Sequence, residues 1–225
     1  MPTQDARIAF ADYCEAIFEL REDDLDVIQA RIAERLDISR PAVSEMIRRM
    51  AAEGLVDVDG GVIQLTADGL VLAEQVVRRH RLAERFLTDV LGLNWAEAHH
   101  EAGRWEHVLN DKVELAINRL LGGPTTCPHG NPIPGSAYTE PDVVALAEVE
   151  VGTSFTVTRI PEELEFAPGV LEFLEENQVK PGRSGELTTA SPDGTVTVNI
   201  EGRHVGIGPF AATRILVSLP AVAVA

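Results

Sequence analysis

RIAERLDISRPAVSEMIRRMAAEGLV, residues 31–56, is the stretch on which the fold turns. Its opening completes an amphipathic segment that starts at Val27, VIQARIAERL. Asp37-Ile38-Ser39 then reads as a short turn in which the Ser39 hydroxyl caps the next helix. Pro41 falls inside that helix's first turn, where a missing N–H costs nothing. The helix runs on through AVSEMIRRMAA and stops at Gly54. Behind it, LVDV and VIQLT flank Asp59-Gly60-Gly61, the signature of a hairpin. Ahead of it, Ile8, Phe10, Ala11, Cys14, Ile17, Phe18 and Leu20 form a helical stripe over residues 8–20. Helix, short turn, helix and hairpin, in that order, predict a winged helix-turn-helix.

A recognition helix enters the major groove with its N-terminal residues. That makes Ser39, Arg40, Pro41, Ala42, Ser44 and Glu45 the candidate base readers, with Arg31, Arg35, Arg48 and Arg49 as phosphate holders. Residues 31–49 carry five arginines against Glu34, Asp37 and Glu45, so this face is locally positive. Small side chains there suit contact with thymine methyl groups better than bidentate base reading. The plainer alternative is a helical hairpin whose arginines are merely solvated.

From Thr66 the pattern turns long and helical: ADGLVLAEQVVRRHRLAERFLTDVLG, then WAEAHHEAGRWEHVLNDKVELAINRLLG, with Gly92 and Asn94 between them. Apolar Leu82, Phe86 and Val90, together with Trp105, Val108 and Leu109, suggest a face for pairing with a second copy. Residues 122–142 are rich in proline and glycine and read as a loop or linker. The last third changes character. SFTVTRI, GELTTAS, TVTVNI and ATRILVSL alternate apolar and polar residues, Pro192-Asp193-Gly194 is a hairpin turn, and GVLEFLEEN is an embedded helix. These predict a small β-barrel, so the chain is expected to be mainly α with a small β portion.

The whole chain of 225 residues is 45% hydrophobic and 24% charged, which is ordinary globular composition. No apolar run reaches the roughly 18–20 residues of a membrane helix, and the polar start is no signal peptide. A cytoplasmic protein without a membrane partner is expected. Cys14 and Cys127 stand far apart, which excludes a disulfide scaffold and a thiolate zinc finger. Nineteen basic against 36 acidic residues give a net charge of −17. Phosphate binding normally leaves a basic footprint, but DNA responds to the local face, and an acidic chain also suits a working form that includes a bound cation.

Histidine and carboxylate cluster in one window. Four of the six histidines fall within residues 80–107. His80 and Glu84 are spaced i, i+4 and share a helix face. His99 and Glu106 lie two turns apart, with His107 beside them. His100-Glu101 is not the start of a zinc-protease HExxH, because Arg104 stands where the second histidine belongs. GxSxG, GKS/T and GxGxxG are also missing, and no small organic substrate is indicated. A metallohydrolase could use the same cluster, but it needs an open coordination position and a general base, and it gives no reason for a winged helix.

RIAERLDISRPAVSEMIRRMAAEGLV, RRHRLAERFLTDVLGL, HEAGRWEHVLND and CPHGNPIPG together resemble the diphtheria toxin repressor family of iron- and manganese-dependent regulators, over essentially the full length. The resemblance implies a winged helix-turn-helix over 1–73, a helical metal-binding and dimerisation domain over 74–146 that includes the Pro/Gly-rich linker, and an SH3-like barrel over 147–225. It further implies a homodimer that binds palindromic operator DNA when metal is present, in most cases to repress metal-uptake genes.

The resemblance also implies ligands. His80, Glu84 and His99 match the family's ancillary site. Glu106 and His107 match the primary site, joined by Asp12 and Glu15 as in the manganese-type members. Gly103 departs from the pattern, because the iron-type repressors have cysteine there and the manganese-type glutamate. A water, a backbone carbonyl or Glu101 is left to fill that place. The barrel's usual ancillary ligands align with Ala167 and Val170, so Glu163 or Glu165 is the expected substitute. With Asp12 rather than a thioether, and no cysteine at 103, the set is oxygen and imidazole. This favours Mn²⁺, with Fe²⁺ as the alternative, while Co²⁺, Zn²⁺ or Cd²⁺ should bind in vitro.

Overall fold

The computed structural model describes residues 4–220; the ends of the expected first and last domains, residues 1–3 and 221–225, lie outside them. The first unit comprises α1 (Gln4–Glu22), α2 (Gln29–Arg35), α3 (Arg40–Ala52) and the antiparallel hairpin β1 (Val56–Asp59) and β2 (Val62–Leu65). Ser39 caps α3, its hydroxyl accepting from the Ala42 N–H at 3.4 Å. Gly60 and Gly61 both adopt positive φ in the hairpin turn, +57° and +91°, which glycine alone takes without strain. Phe10, Ile17, Ile32, Val43, Ile47, Met50 and Ile63 close one core beneath these elements. The winged helix-turn-helix is therefore present, with α1 as its supporting helix.

Capped by Thr66, α4 (Ala67–Asp89) runs for 23 residues and packs against α1 on one side and α5 (Trp95–Trp105) on the other. The second long helical pattern is not one helix. It breaks over residues 106–110, and Asn110 caps a separate α6 (Asp111–Leu120) by accepting from the N–H groups of Lys112 and Val113. The sequence hides this break because Trp105, Leu109 and Ile117 keep helical spacing across it. Leu82 and Leu109 also prove to be core residues of this unit, not part of a pairing face. Its exposed apolar side chains include Val71, Val90, Leu91, Val108, Val113, Leu115 and Leu120.

Residues 122–142 form no helix or strand beyond one isolated bridge between Thr126 and Pro132. They are not a loose linker, however, because Cys127, His129, Asn131 and Ile133 are all buried. Gly130 has φ +92°, and a Cβ there would stand 2.2 Å from the Thr158 carbonyl oxygen. Only glycine lets this loop lie flat on the barrel, where the His129 carbonyl accepts the Ile160 N–H at 2.8 Å.

The barrel sheet has six strands in the order β3-β8-β4-β5-β6-β7, all antiparallel. They are β3 (Val144–Ala145), β4 (Ser154–Arg159), β5 (Ser184–Ala190), β6 (Val196–Ile200), β7 (Arg203–Ile207) and β8 (Leu216–Ser218). Three short helices are inserted: α7 (Glu162–Glu165), α8 (Val170–Glu176) and α9 (Pro209–Ala212). The alternating stretches correspond to β4, β5, β6 and β8, though only the second half of ATRILVSL is strand. Two-residue β3 and half-polar β7 carried no readable pattern. Among the described residues, no helix is long and apolar enough to cross a membrane.

Candidate metal centre

Donor atoms from α4 and five further segments converge. Helical spacing puts His80 and Glu84 on the buried side of α4 facing α5, with His80 Nε2 and Glu84 Oε1 3.3 Å apart. His99 on α5 brings Nδ1 to 3.0 Å from Glu84 Oε1 and 3.3 Å from His80 Nε2. Where α5 ends, the turn presents Glu106 and His107. Glu106 Oε2 lies 2.5 Å from His80 Nδ1, and Glu106 Oε1 lies 3.1 Å from His107 Nε2. From α1, Asp12 Oδ1 reaches to 3.0 Å from His107 Nε2, and Glu15 Oε1 stands 3.9 Å from His80 Nδ1.

Of the last two segments, the loop was not foreseen as a donor, whereas the barrel was. The buried loop adds Cys127 and His129, whose Nδ1 is 3.6 Å from Glu84 Oε1 and 3.8 Å from Cys127 Sγ. From α7 of the barrel comes Glu165, with Oε2 2.8 Å from His129 Nδ1 and 3.1 Å from His99 Nδ1. Of the two expected substitutes, Glu165 enters the centre while Glu163 turns away to pair with Arg214 at 2.5 Å. The Cys-x-His spacing in CPHG was the available signal. The loop's apparent openness concealed it, and the candidate donors gathered by the fold include one sulfur beside the oxygens and imidazoles.

Glu101 does not belong to the centre. It lies two residues before Gly103, about 200° round a helix of 3.6 residues per turn, so it faces outward. There its carboxylate accepts from Arg104 and from the Trp105 indole N–H, at 3.0 and 3.1 Å. Gly103 itself lines a cavity of about 510 Å³ bordered by Asp12, Glu15, His80, His99, Glu106 and His107, and a Cβ added there meets nothing within 4 Å.

Overlapping triplets of donors, Asp12-Glu106-His107 and Glu15-His80-Glu106 on one side and His80-Glu84-His99, Glu84-Cys127-His129 and His99-Glu162-Glu165 on the other, group into two sets that meet at His80. Proton chemistry alone leaves them badly matched. Glu15 Oε1, Glu84 Oε2 and His129 Nε2 are buried without a hydrogen-bond partner, which is costly for a polar group. Burial works against a charge on His80, yet the Glu84 and Glu106 carboxylates outweigh it and hold the imidazole well above its usual range. Hydrogen bonds to Asp12 and then Glu106 bring His107 up to about 9. Burial raises a carboxyl pKa, but His129 foremost overrides this at Glu165, which falls to about 2. Glu15 goes the other way, pushed well up by burial and by the Glu106 charge. Burial, with Glu84 beside it, also pushes the Cys127 thiol well up. A concentration of negative donors with orphaned oxygens suits a divalent cation in both sets.

A buried ionic network borders the centre. Arg81, fully buried, pairs with Glu22 at 2.7 Å and Glu162 at 2.8 Å. Arg159 reaches Glu22 at 3.1 Å and Asp23 at 2.9 Å, so the end of α1, the middle of α4 and the barrel are held together. Asn131 donates to Glu165 Oε1 at 2.6 Å and orients it.

At the other end of the reader, α3 exposes Arg40, Pro41, Ala42, Glu45, Arg48 and Arg49, with Ser44 half-buried. Glu45 pairs with Arg48 at 2.5 Å, and the Arg49 guanidinium lies 5.6 Å from the Phe10 ring centroid. Arg31 donates to the Asp26 carbonyl at 3.3 Å. Arg35 is not a phosphate holder: its side chain is buried in a 2.8 Å pair with Glu19.

Comparison with known proteins agrees with this arrangement. Residues 9–61 match the family described as "Iron dependent repressor, N-terminal DNA binding domain", residues 66–135 its "metal binding and dimerisation domain", and residues 144–219 the "FeoA domain". The iron-dependent repressor IdeR of Mycobacterium tuberculosis (strain ATCC 25618 / H37Rv) is 40% identical over 204 residues, covering 85% of this chain and 88% of that protein. The diphtheria toxin repressor of Corynebacterium diphtheriae is 40% identical over 171 residues, 74% of this chain and 71% of its own. Among solved structures, a manganese-dependent transcriptional repressor in complex with manganese superposes with TM-score 0.84 at 32% identity, over 94% of this chain and all of that one. With a reader, a donor-rich centre and these relatives in place, the chain belongs to the diphtheria toxin repressor family: it is a metal-dependent, DNA-binding transcriptional repressor and not an enzyme.

Proposed function

We propose that this protein senses Mn²⁺ and, when loaded, binds palindromic operators as a homodimer to repress metal-uptake genes in the cytoplasm. Asp12, Glu15, Glu106 and His107, with His80 beside them, would hold one ion. Glu84, His99, Cys127, His129 and Glu165 would hold a second. The observation that carries the reading is the approach of Asp12 on α1 to His107 beyond α5, at 3.0 Å. These residues belong to the reader's supporting helix and to the dimerisation unit, so their joint grip fixes one unit against the other. A bound divalent cation supplies the positive charge that lets Asp12, Glu15 and Glu106 share this space. The reader is then held in one orientation, and two readers of a dimer can meet major grooves about 34–36 Å apart. Exposed Val90, Leu91, Val108, Leu115 and Leu120 are apolar side chains available for pairing.

The hard donors of the first set suit Mn²⁺ better than a thiolate-rich set would, and selection against later metals then rests on geometry and availability. Cys127 gives the iron reading a specific foothold, because a sulfur donor in the second set suits Fe²⁺ better than Mn²⁺. DNA selected by the protein from a random-sequence pool, titrated with Mn²⁺ and with anaerobic Fe²⁺, tests the proposal. Binding should require metal, reverse on chelation and respond at lower free Mn²⁺. Asp12→Met should weaken the Mn²⁺ response more than the Fe²⁺ response. DNA binding that is indifferent to a chelator refutes the reading.

A further inference from the structure

Glu165 points into the second donor set, and the next residue, Phe166, points at the reader. The Phe166 ring meets the His99 imidazole in a T-shaped contact, with centroids 5.2 Å apart and planes at 88°. It also carries over it the Arg35 guanidinium, whose central carbon is 4.3 Å from the ring centroid. Arg35 is the last residue of α2, its side chain is only 5% exposed, and Glu19 of α1 holds it at 2.8 Å. The chain then turns through Asp37, in the left-handed region at φ +50°, to Ser39, the cap of the recognition helix. Beside this contact the barrel and α2 part into a cleft of about 690 Å³, with Arg31 and Asp37 on one wall and Phe210 and Arg214 on the other.

We infer that Phe166 and Arg35 are positioning residues that carry the state of the second donor set to the recognition helix. With His99 and Glu165 fixed as ligands, the Phe166 ring, packed on His99 and next in sequence to Glu165, is fixed as well. The stacked guanidinium then anchors the end of α2, and through the short turn it anchors the start of α3. Phe166 borders the same cavity as the first-set donors, but its ring contacts are with His99 and Arg35, a different route from the grip of Asp12 on His107. A cation over a ring gains most where water is excluded, as it is at Arg35. The inference rests on the metal-dependent DNA binding proposed above.

The test compares the full chain with Phe166→Ala and Phe166→Tyr. Mn²⁺ binding is measured alone by calorimetry, and the affinity for DNA selected by the wild type is measured with and without saturating Mn²⁺. Phe166→Ala should keep the Mn²⁺ stoichiometry and the melting temperature, because the ring is half-exposed. Its gain in DNA affinity on adding Mn²⁺ should be about tenfold smaller than the wild type's, and Phe166→Tyr should restore it. A full gain in Phe166→Ala overturns the inference, as does a lost equivalent of Mn²⁺, which would make the ring a support for the ligands only. Absence of any Mn²⁺-dependent gain in the wild type overturns the functional reading itself.

Discussion

Asp12 Oδ1 and His107 Nε2 stand 3.0 Å apart, joining the helix under the reader to the turn that ends α5. Both hydrogen-bonding carboxylates raise the His107 pKa to about 9, so below that pH the metal-free protein holds a proton that a cation must displace. Metal affinity should therefore rise with pH, by about tenfold per unit from this group between roughly pH 7 and 9, and then level off. In His107→Gln the slope should fall by about one proton. Chelator competition at constant ionic strength measures it, and an unchanged slope would remove His107 from the centre.

The second donor set should reveal its sulfur. Co²⁺ added to the wild type should give a thiolate charge-transfer absorption that Cys127→Ser lacks. The same change should weaken Zn²⁺ and Co²⁺ more than Mn²⁺, because a hydroxyl is a poorer ligand for softer ions. Persistence of the band in Cys127→Ser would place the sulfur elsewhere.

Removing Arg81 should cost far more than removing a surface arginine. Its guanidinium is fully buried between Glu22 and Glu162, and Arg81→Met leaves buried Glu162 without its cation while Glu22 keeps only Arg159. A loss of about 3–5 kcal/mol is expected. Denaturant unfolding in the presence of a chelator isolates it from metal effects. A change under about 1 kcal/mol, the scale of an exposed pair, would mean that the network is structurally idle.

Gly103 faces the cavity with open space before it. Gly103→Glu should stabilise α5 by roughly 0.5–1 kcal/mol through helix propensity, and should place a carboxylate among the first-set donors. Mn²⁺ should then bind more tightly while the number of ions stays the same. Weaker Mn²⁺ binding in a normally folded variant would show that added charge there repels more than it coordinates.

On the reader, Arg40→Ala and Arg49→Ala should each weaken DNA binding and flatten its salt dependence by about one unit of slope. Buried Arg35 should behave differently. Arg35→Gln should lower the affinity and leave the slope alone, since it meets Glu19 and Phe166 rather than phosphate. Equal changes of slope at all three positions would contradict the assignment of roles.

The contrast between these arginines marks where the sequence stops being legible. Ser39, Pro41, Gly54 and the Asp59-Gly60-Gly61 turn act locally, so the winged helix could be read directly. His80 and Glu84 were equally readable, because one helix sets their spacing. Arg35 looked like its neighbours until tertiary contact with Glu19 and Phe166 buried it. Cys127 and His129 sit in a stretch whose prolines and glycines imitate an open linker. Their burial depends on Gly130 lying against β4 and on α4 beneath, and neither is a local property. The break at residues 106–110 was masked by apolar spacing that continues through it, and the misplacing of Glu101 in the centre came from counting sequence distance rather than helical angle.

The loop lying on β4 has a consequence for how the molecule comes into being. Proteins leave the ribosome amino end first and tend to fold domain by domain in that order. All of the Asp12, Glu15, Glu106 and His107 donors have been made by residue 107. The other set waits for Glu165, and for a barrel strand on which Gly130 can settle. A nascent polypeptide thus owns one donor set well before the other, and a chain truncated between them would expose Cys127 and His129 with no barrel to cover them.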